Sequence, residues 1–206
     1  MVGQKHVIDV YDALKEHSSE PIYYRTDHHW TTLGAYYGYR EFAKAYKLPA
    51  RDYLSKERVV VTEDFLGTLH SKVNMPMKEE TIEMFPATLD KRYTITYDGT
   101  KQTDSFYTES FLEGKNKYGY FLDDNHGLVE IERESFSKRE LFIIKDSYAN
   151  SLIPLLAHHY KKIYVVDLRY FNGKLLEFME ECNTTGEMDV LVLYNCVHFV
   201  EDFQFQ

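Results

Sequence analysis

Three uninterrupted apolar runs, Leu141-Phe142-Ile143-Ile144, Ile163-Tyr164-Val165-Val166 and Val190-Leu191-Val192-Leu193, constrain the fold more than any other feature of the chain. A strand that is apolar on both faces has to be covered on both faces. The segments between these runs, Ser147 to Tyr160 and Gly173 to Glu181, carry helical signals. Strand alternating with helix implies an α/β protein built on a parallel sheet. Upstream, Lys5 to His17 has near-helical apolar spacing and is stopped by Ser18-Ser19-Glu20-Pro21. Ile22 to Tyr24 then reads as a short strand. A helix follows from Thr31 or Thr32, either of which can cap it, to about Lys47, where Pro49 ends it.

Residues 50–137 follow a different pattern. Val59 to Val61, Ile82 to Met84, Tyr93 to Tyr97 and Leu128 to Ile131 are short β-like runs between polar turns such as Asp98-Gly99. We read them as an irregular β-rich insertion in a single domain covering 1–206. A chain of 206 residues is long enough for that domain and its core.

A net charge of −9 argues against a nucleic-acid surface, which needs clustered Lys and Arg. The two cysteines, Cys182 and Cys196, are too few for a disulfide scaffold, and no Cys/His set has the spacing of structural zinc. No cofactor motif is present. No apolar run has the length of a membrane span, so the chain reads as cytosolic or as the soluble part of a longer protein. The 18 Tyr and 13 Phe fit two readings: filling of core and strands, or faces on which sugars stack.

Ligands of open parallel sheets bind beyond the carboxyl ends of the strands. Four expected strand ends carry polar groups: Asp27, His28 and His29; Lys145, Asp146, Ser147 and Asn150; Asp167 and Arg169; Tyr194 and Asn195. Ser147 stands where a buried strand turns into a helix, which exposes a hydroxyl beside unpaired backbone N–H groups. A serine hydroxyl needs a base, usually His. In extended chain, residues i and i+2 project to one side, about 6–7 Å apart, so Asp27 can orient His29 while His28 faces away. The Ser147 N–H, Asn195 and Arg169, with Tyr194 close by, are the candidate oxyanion donors.

Each of these residues also has a structural reading. Ser147 or Asp146 fits an N-cap, Arg169 a surface ion pair with Asp167, and Asn195 a turn. His28 and Trp30 read as packing and positioning groups, and His158-His159 as the polar end of a helix. His126 fits a loop residue, a substrate contact or a metal ligand.

Taken together, Thr26-Asp27-His28-His29-Trp30-Thr31, Lys145-Asp146-Ser147-Tyr148-Ala149-Asn150-Ser151, Asp167-Leu168-Arg169-Tyr170 and Leu193-Tyr194-Asn195 resemble the bacterial DHHW protein family. That family is similar in turn to the SGNH-hydrolase-like domains of alginate O-acetyltransferases. The resemblance spans about residues 20–200. It implies a three-layer α/β/α sandwich like flavodoxin and a triad of Asp27, His29 and Ser147, in a chain order permuted from ordinary SGNH esterases. Arg169, Asn195, Tyr194 and Asn150 would complete the oxyanion and substrate site.

The resemblance further implies an acetyl group moved onto a carbohydrate polymer outside the cytoplasmic membrane, beside a membrane-bound acyltransferase. It also implies a longer, membrane-anchored protein of which Met1 begins only a part. Two features depart from the pattern: Lys145 replaces the Gly before Asp-Ser, and residues 50–137 match no alginate-binding module.

The expected function is therefore a serine-dependent O-acetyltransferase or acetylesterase acting on a cell-surface or exported polysaccharide through acyl-Ser147. Two readings compete with it. One is a metal-dependent phosphoesterase using Asp27, His28, His29 and His126. The other is a non-catalytic glycan-binding or assembly module of an acetylation system.

Overall fold

Thr31 starts the longest of the described helices: its backbone is extended and its hydroxyl accepts the Gly34 N–H at 3.2 Å. A computed structural model describes residues 7–73, 75–89, 92–134, 137–183, 186 and 188–201. The chain divides into two compact units, residues 1–88 with 111–118, and residues 89–110 with 119–206.

The first unit holds α1 (Tyr11–Glu16), α2 (Thr32–Ala45), β1 (Val59–Phe65), α3 (Thr68–Val73) and β2 (Glu80–Met84). Of the expected first helix, Lys5 and His6 lie outside the described residues, and the helix begins after Asp9 accepts the Tyr11 N–H. Helix α2 buries Leu33, Tyr36, Tyr37, Tyr39, Phe42 and Ala43. Its Tyr36 and Tyr39 form an aromatic cluster with Tyr53 and Phe85. Strands β1 and β2 pair antiparallel as a two-stranded sheet with irregular register.

Ile22 to Tyr24 does not join any sheet, contrary to the sequence reading. The segment folds back on its own continuation in a single antiparallel bridge, Tyr23 to Trp30, closed by Thr31 N–H to Ile22 O at 2.9 Å. A three-residue run meets its partner locally through the intervening turn and leaves no length for further pairing.

The second unit is built on a six-stranded sheet of β3 (Tyr93–Tyr97), β4 (Lys101–Thr103), β5 (Leu128–Arg133), β6 (Glu140–Lys145), β7 (Lys162–Val166) and β8 (Met188–Leu193). Its order is β4-β3-β5-β7-β6-β8. The three apolar runs are parallel neighbours, with β6 between β7 and β8. Strands β5, β3 and β4 extend the sheet antiparallel from β7.

The fold is thus mixed α/β, and the expected all-parallel, flavodoxin-like sheet does not form. Of the three apolar runs, β6 is buried along its whole length and β7 along nearly all of it, whereas β8, at the end of the sheet, leaves Val190 and Val192 exposed. Strands β3 and β5 instead alternate buried and less buried residues, as antiparallel half-covered strands do.

The expected helix from Ser147 to Tyr160 is broken into a 3-10 turn at Ser147–Ala149, α4 (Ile153–Leu156) and a second 3-10 turn at Ala157–His159. Asp146 caps the first turn, and Pro154, which has no N–H, sits at the start of α4. Helices α5 (Leu175–Cys182) and α6 (Cys196–Glu201) complete the unit. Phe178 and Met179 of α5 pack on a core of Phe142, Ile144, Tyr164, Val166 and Leu168.

Candidate active site

Asp27 is buried between two clamps. On one side the Glu80 carboxylate of β2 accepts the N–H groups of Arg25 and Thr26 and the Thr26 hydroxyl, at 2.6–3.1 Å. On the other, Asp27 Oδ2 accepts the backbone N–H and the hydroxyl of Thr68, the first residue of α3, at 2.8 and 3.0 Å. Gly67 makes that approach possible, since a Cβ there would collide with the Asp27 Cβ and Oδ2.

The remaining oxygen of Asp27 serves His29. Oδ1 accepts its backbone N–H at 3.0 Å and its ring Nδ1 at 2.5 Å. Tyr118 stacks on the His29 ring with centroids 3.8 Å apart and planes within 7°. One ring nitrogen and the ring plane are therefore both fixed. Burial would raise the Asp27 carboxyl, but the His29 hydrogen bond and charge and the Thr68 and His29 amides hold it well below the carboxylate range. It is a carboxylate at any physiological pH. His28 does not face away as the i, i+2 spacing predicts: its Nδ1 lies 2.6 Å from the Thr68 hydroxyl and 3.7 Å from Asp27 Oδ1, and its ring is 3.9 Å from that of His29, because the segment turns rather than running extended; Trp30 is buried.

Ser147 lies in the second unit, buried at the first position of the turn that follows β6. The carboxylate before it is fully enclosed. Asp146 Oδ1 accepts the Tyr148 N–H at 2.9 Å; Oδ2 accepts the Asn195 N–H at 3.0 Å and its side-chain amide at 2.6 Å, and lies 2.9 Å from His198 Nδ1. Asp146 is thus the cap, and it ties the serine turn to the end of β8.

The other expected site residues of this unit form a buried polar network. The Lys145 ammonium, with no exposed surface, meets Asn150 Oδ1 at 2.9 Å, Asn125 Oδ1 at 3.1 Å and Asp167 Oδ2 at 3.3 Å. Arg169 grips Asp167 through Nε at 2.8 Å and Nη2 at 2.6 Å. Burial pushes the Lys145 amine down against the pull of Asp167; burial would raise Asp167, but Arg169 and Lys145 hold it low. Asn150 also donates to Asp124 O, and Asn195 Oδ1 accepts N–H groups at the start of α6. The amide groups of Asn150 and Asn195 are thus engaged in shaping the loops, and Tyr194 packs beside the Phe142 cluster.

Residues 2–166 match the profile of the DHHW protein family. The chain belongs to the DHHW protein family. Among solved structures it is similar to a DHHW family protein from Eubacterium siraeum, at 29% identity and a TM-score of 0.75, over 91% of this chain and 63% of that one. It therefore spans less than two thirds of that relative. Bacillus cereus PatB1 with a sulfonyl adduct is similar at 23% identity and a TM-score of 0.73, over 93% of this chain and 67% of that one. A second PatB1 structure gives 19% identity, a TM-score of 0.69, and 92% and 68% coverage. At those identities the PatB1 likeness concerns the fold. Comparison with curated proteins finds no match.

Several site residues of this DHHW protein were invisible to sequence reasoning. Thr68, Gly67, Glu80 and Tyr118 surround the Asp27–His29 pair in the first unit, and Asn125 and His198 hold the Lys145–Ser147 turn in the second. They come from β2, α3, α6, a 3-10 turn at Lys117–Tyr120 and loops far away in sequence, and carry no local pattern. Asn125 does sit in a polar motif, Asp123-Asp124-Asn125-His126-Gly127, in which the sequence singles out His126 instead. That imidazole is held at both nitrogens, by Asp98 Oδ2 at 2.7 Å and Asp123 Oδ2 at 3.0 Å.

Asp27, His28 and His29 can also bring one ligand atom each within 4.8 Å of one another, a spacing open to a metal ion. The same atoms are committed to Thr68 and to each other.

Proposed function

We propose that this DHHW protein is a serine-dependent O-acetyltransferase or acetylesterase acting on a cell-surface or exported polysaccharide. The observation that carries the reading is the buried Asp27–His29 couple, a carboxylate fixed by four hydrogen bonds that orients an imidazole through Nδ1. Structure alone rarely requires so rigid a carboxylate–imidazole pair, whereas nucleophilic catalysis depends on one. The sulfonyl adduct named for PatB1 is in keeping with it, because sulfonyl groups are captured by activated nucleophiles.

In this scheme Ser147 Oγ attacks the acyl carbonyl and His29 Nε2 takes the hydroxyl proton. The tetrahedral oxyanion is stabilised by the Ser147 N–H and by the positive charge of Arg169. The intermediate collapses to acyl-Ser147, and the leaving group departs with the proton from His29. A sugar hydroxyl or water then attacks the ester, His29 again taking and returning the proton, and Ser147 is restored. Asp27 stays ionised throughout and stabilises the imidazolium. The DHHW resemblance supports an extracytoplasmic site of action, an SGNH-like origin of the fold, a carbohydrate polymer as acceptor and a membrane-bound acyltransferase as donor partner. No described helix is long and apolar enough to cross a membrane.

The test is hydrolysis of 4-nitrophenyl acetate together with labelling by phenylmethanesulfonyl fluoride. Wild-type protein should release nitrophenol and carry the sulfonyl group on Ser147, and Ser147→Ala should lose about 10³-fold or more of the rate with its fold intact. Undiminished turnover in Ser147→Ala would sink the reading. Absence of both turnover and label in wild type would favour a non-catalytic module instead. The clustering of Asp27, His28 and His29 favours one other reading, a metal-assisted hydrolase; stoichiometric metal in the purified protein, with turnover abolished by chelator, would establish it.

A further inference from the structure

We propose that a cleft of the second unit, lined by Asp98, Gly99, Asn125, His126, Tyr170 and Asn172, binds an uncharged pyranose ring of the acceptor glycan. Tyr170 supplies the stacking face, and Asp98 and Asn172 are partners for sugar hydroxyls. The inference rests on the glycan acceptor of the proposed function and adds a subsite and a charge preference to it.

Tyr170 is 52% exposed and carries the Arg169 guanidinium 5.4 Å from its ring centroid. Phe171, next to it, turns instead into the core against Phe178, with centroids 5.4 Å apart. Both adjacent aromatics line the cleft, Phe171 with its ring packed largely on the core and Tyr170 with about half of its surface exposed. An aromatic face attracts the C–H groups of a sugar, and its hydroxyls require polar groups at the rim.

Asp98 meets that requirement. Its Oδ1 accepts the Leu128 N–H at 3.0 Å and its Oδ2 pairs with His126 Nδ1 at 2.7 Å, yet its side chain remains half exposed. Each carboxylate oxygen accepts more than one hydrogen bond, so both keep capacity for hydroxyl donors. Burial would raise the Asp98 carboxyl, but His126 and the Leu128 amide hold it below its ordinary range. A fixed negative charge at the rim disfavours a uronate or phosphate and suits a neutral or N-acetylated sugar.

The cleft is bounded by tightly turned chain. Asp98 and Gly99 both have left-handed backbone, φ 46° and 69°, and so do Leu122, Asp123 and Asp124, φ 57°, 55° and 69°. Such non-glycine conformations persist only where surrounding contacts fix them. A Cβ on Gly127 would lie 2.7 Å from Tyr170 O, so the loop before β5 is seated directly on the Tyr170 backbone. Asn125 lines the cleft and also accepts from Lys145 Nζ at 3.1 Å and Arg169 Nη2 at 3.3 Å. Lys145 is the last residue of β6, and Asp146 and Ser147 follow it. One loop therefore forms a wall of the cleft and buttresses the serine turn.

Amide NMR titration of the whole chain with chitotetraose, cellotetraose and tetramannuronate tests the proposal. Chitotetraose or cellotetraose should give saturable shifts at residues 98–99, 125–128 and 170–172. Affinity should fall about tenfold or more in Tyr170→Ala, recover in Tyr170→Phe, and persist in Ser147→Ala. Because Tyr170 is exposed, Tyr170→Ala should leave the rest of the spectrum unchanged. No saturable shift with any oligosaccharide, binding of tetramannuronate alone, or shifts that Tyr170→Ala leaves intact would overturn the proposal. Ester turnover, measured separately, keeps the two readings distinct: turnover without sugar shifts removes only the subsite, and sugar shifts without turnover remove only the enzyme.

Discussion

Asp27 accepts from Thr68 and from His29 at both oxygens, so replacing it with Asn tests orientation at constant size. An amide NH2 in place of one oxygen faces two N–H or O–H donors and loses the charge that stabilises an imidazolium. Asp27→Asn should lower esterase turnover about 10³-fold or more and cost about 2–4 kcal/mol of stability through its broken charge-assisted bonds, as read by urea unfolding. Retained turnover would remove Asp27 from the mechanism. Gly67→Ala probes the same contact from the other side. The added methyl must displace a carboxylate held by four hydrogen bonds, and overpacking of that kind costs about 1–3 kcal/mol. A lowered melting temperature together with lost turnover is expected; a variant as stable and active as wild type would show that the Asp27 loop yields freely.

At the scale of elements, the start of α2 and the end of β6 are the informative places. Thr31 caps α2 and also donates to Pro21 O at 2.7 Å, so Thr31→Ala should cost about 1 kcal/mol or somewhat more. The position of this helix was legible in the sequence because capping chemistry and apolar period are local. Of the buried Lys145–Asp167–Arg169 network only the Asp167–Arg169 pair, two residues apart, was legible; Lys145 joins it from a second strand end that meets the first only in the sheet. Asp167→Asn leaves both cations uncompensated and should cost about 3–5 kcal/mol, whereas Lys145→Met leaves Asp167 paired with Arg169 and should cost less. The reverse order in denaturant unfolding would refute that account.

For the molecule as a whole, acid stability should fall in two stages. Burial, with His158 and Arg139 nearby, pushes the His159 imidazole down to about 3. An unfolded His titrates near about 6.5. Between those values the unfolded chain binds a proton that the folded chain does not, so stability declines as pH falls. Asp27, Asp98, Asp123 and Asp167 are all held below the ordinary carboxylate range. Their contribution is complete above the unfolded value of about 4 and is lost as pH falls below it. Urea midpoints from neutral pH down to about 3 should show a shallow decline and then a steeper one. His159→Leu should remove only the first stage, and a first stage that survives the substitution would refute the assignment.

By itself the sequence determined what depends on neighbours along the chain. The three apolar strands, the capped helix, the Asp98-Gly99 turn, the Asp27–His29 spacing and the serine after a buried strand all follow from period, turn chemistry and residue type. Tertiary structure decided what depends on pairing. It made β5, β3 and β4 an antiparallel extension of the parallel strands, kept Ile22 to Tyr24 out of any sheet, and broke the helix after Ser147. It also brought Thr68, Gly67, Glu80 and Tyr118 around the two residues of the motif. Register and burial are set by long-range hydrogen bonds and packing, which leave no short-range imprint, so a motif can announce its chemistry while the groups that fix its geometry stay hidden until the chain is folded.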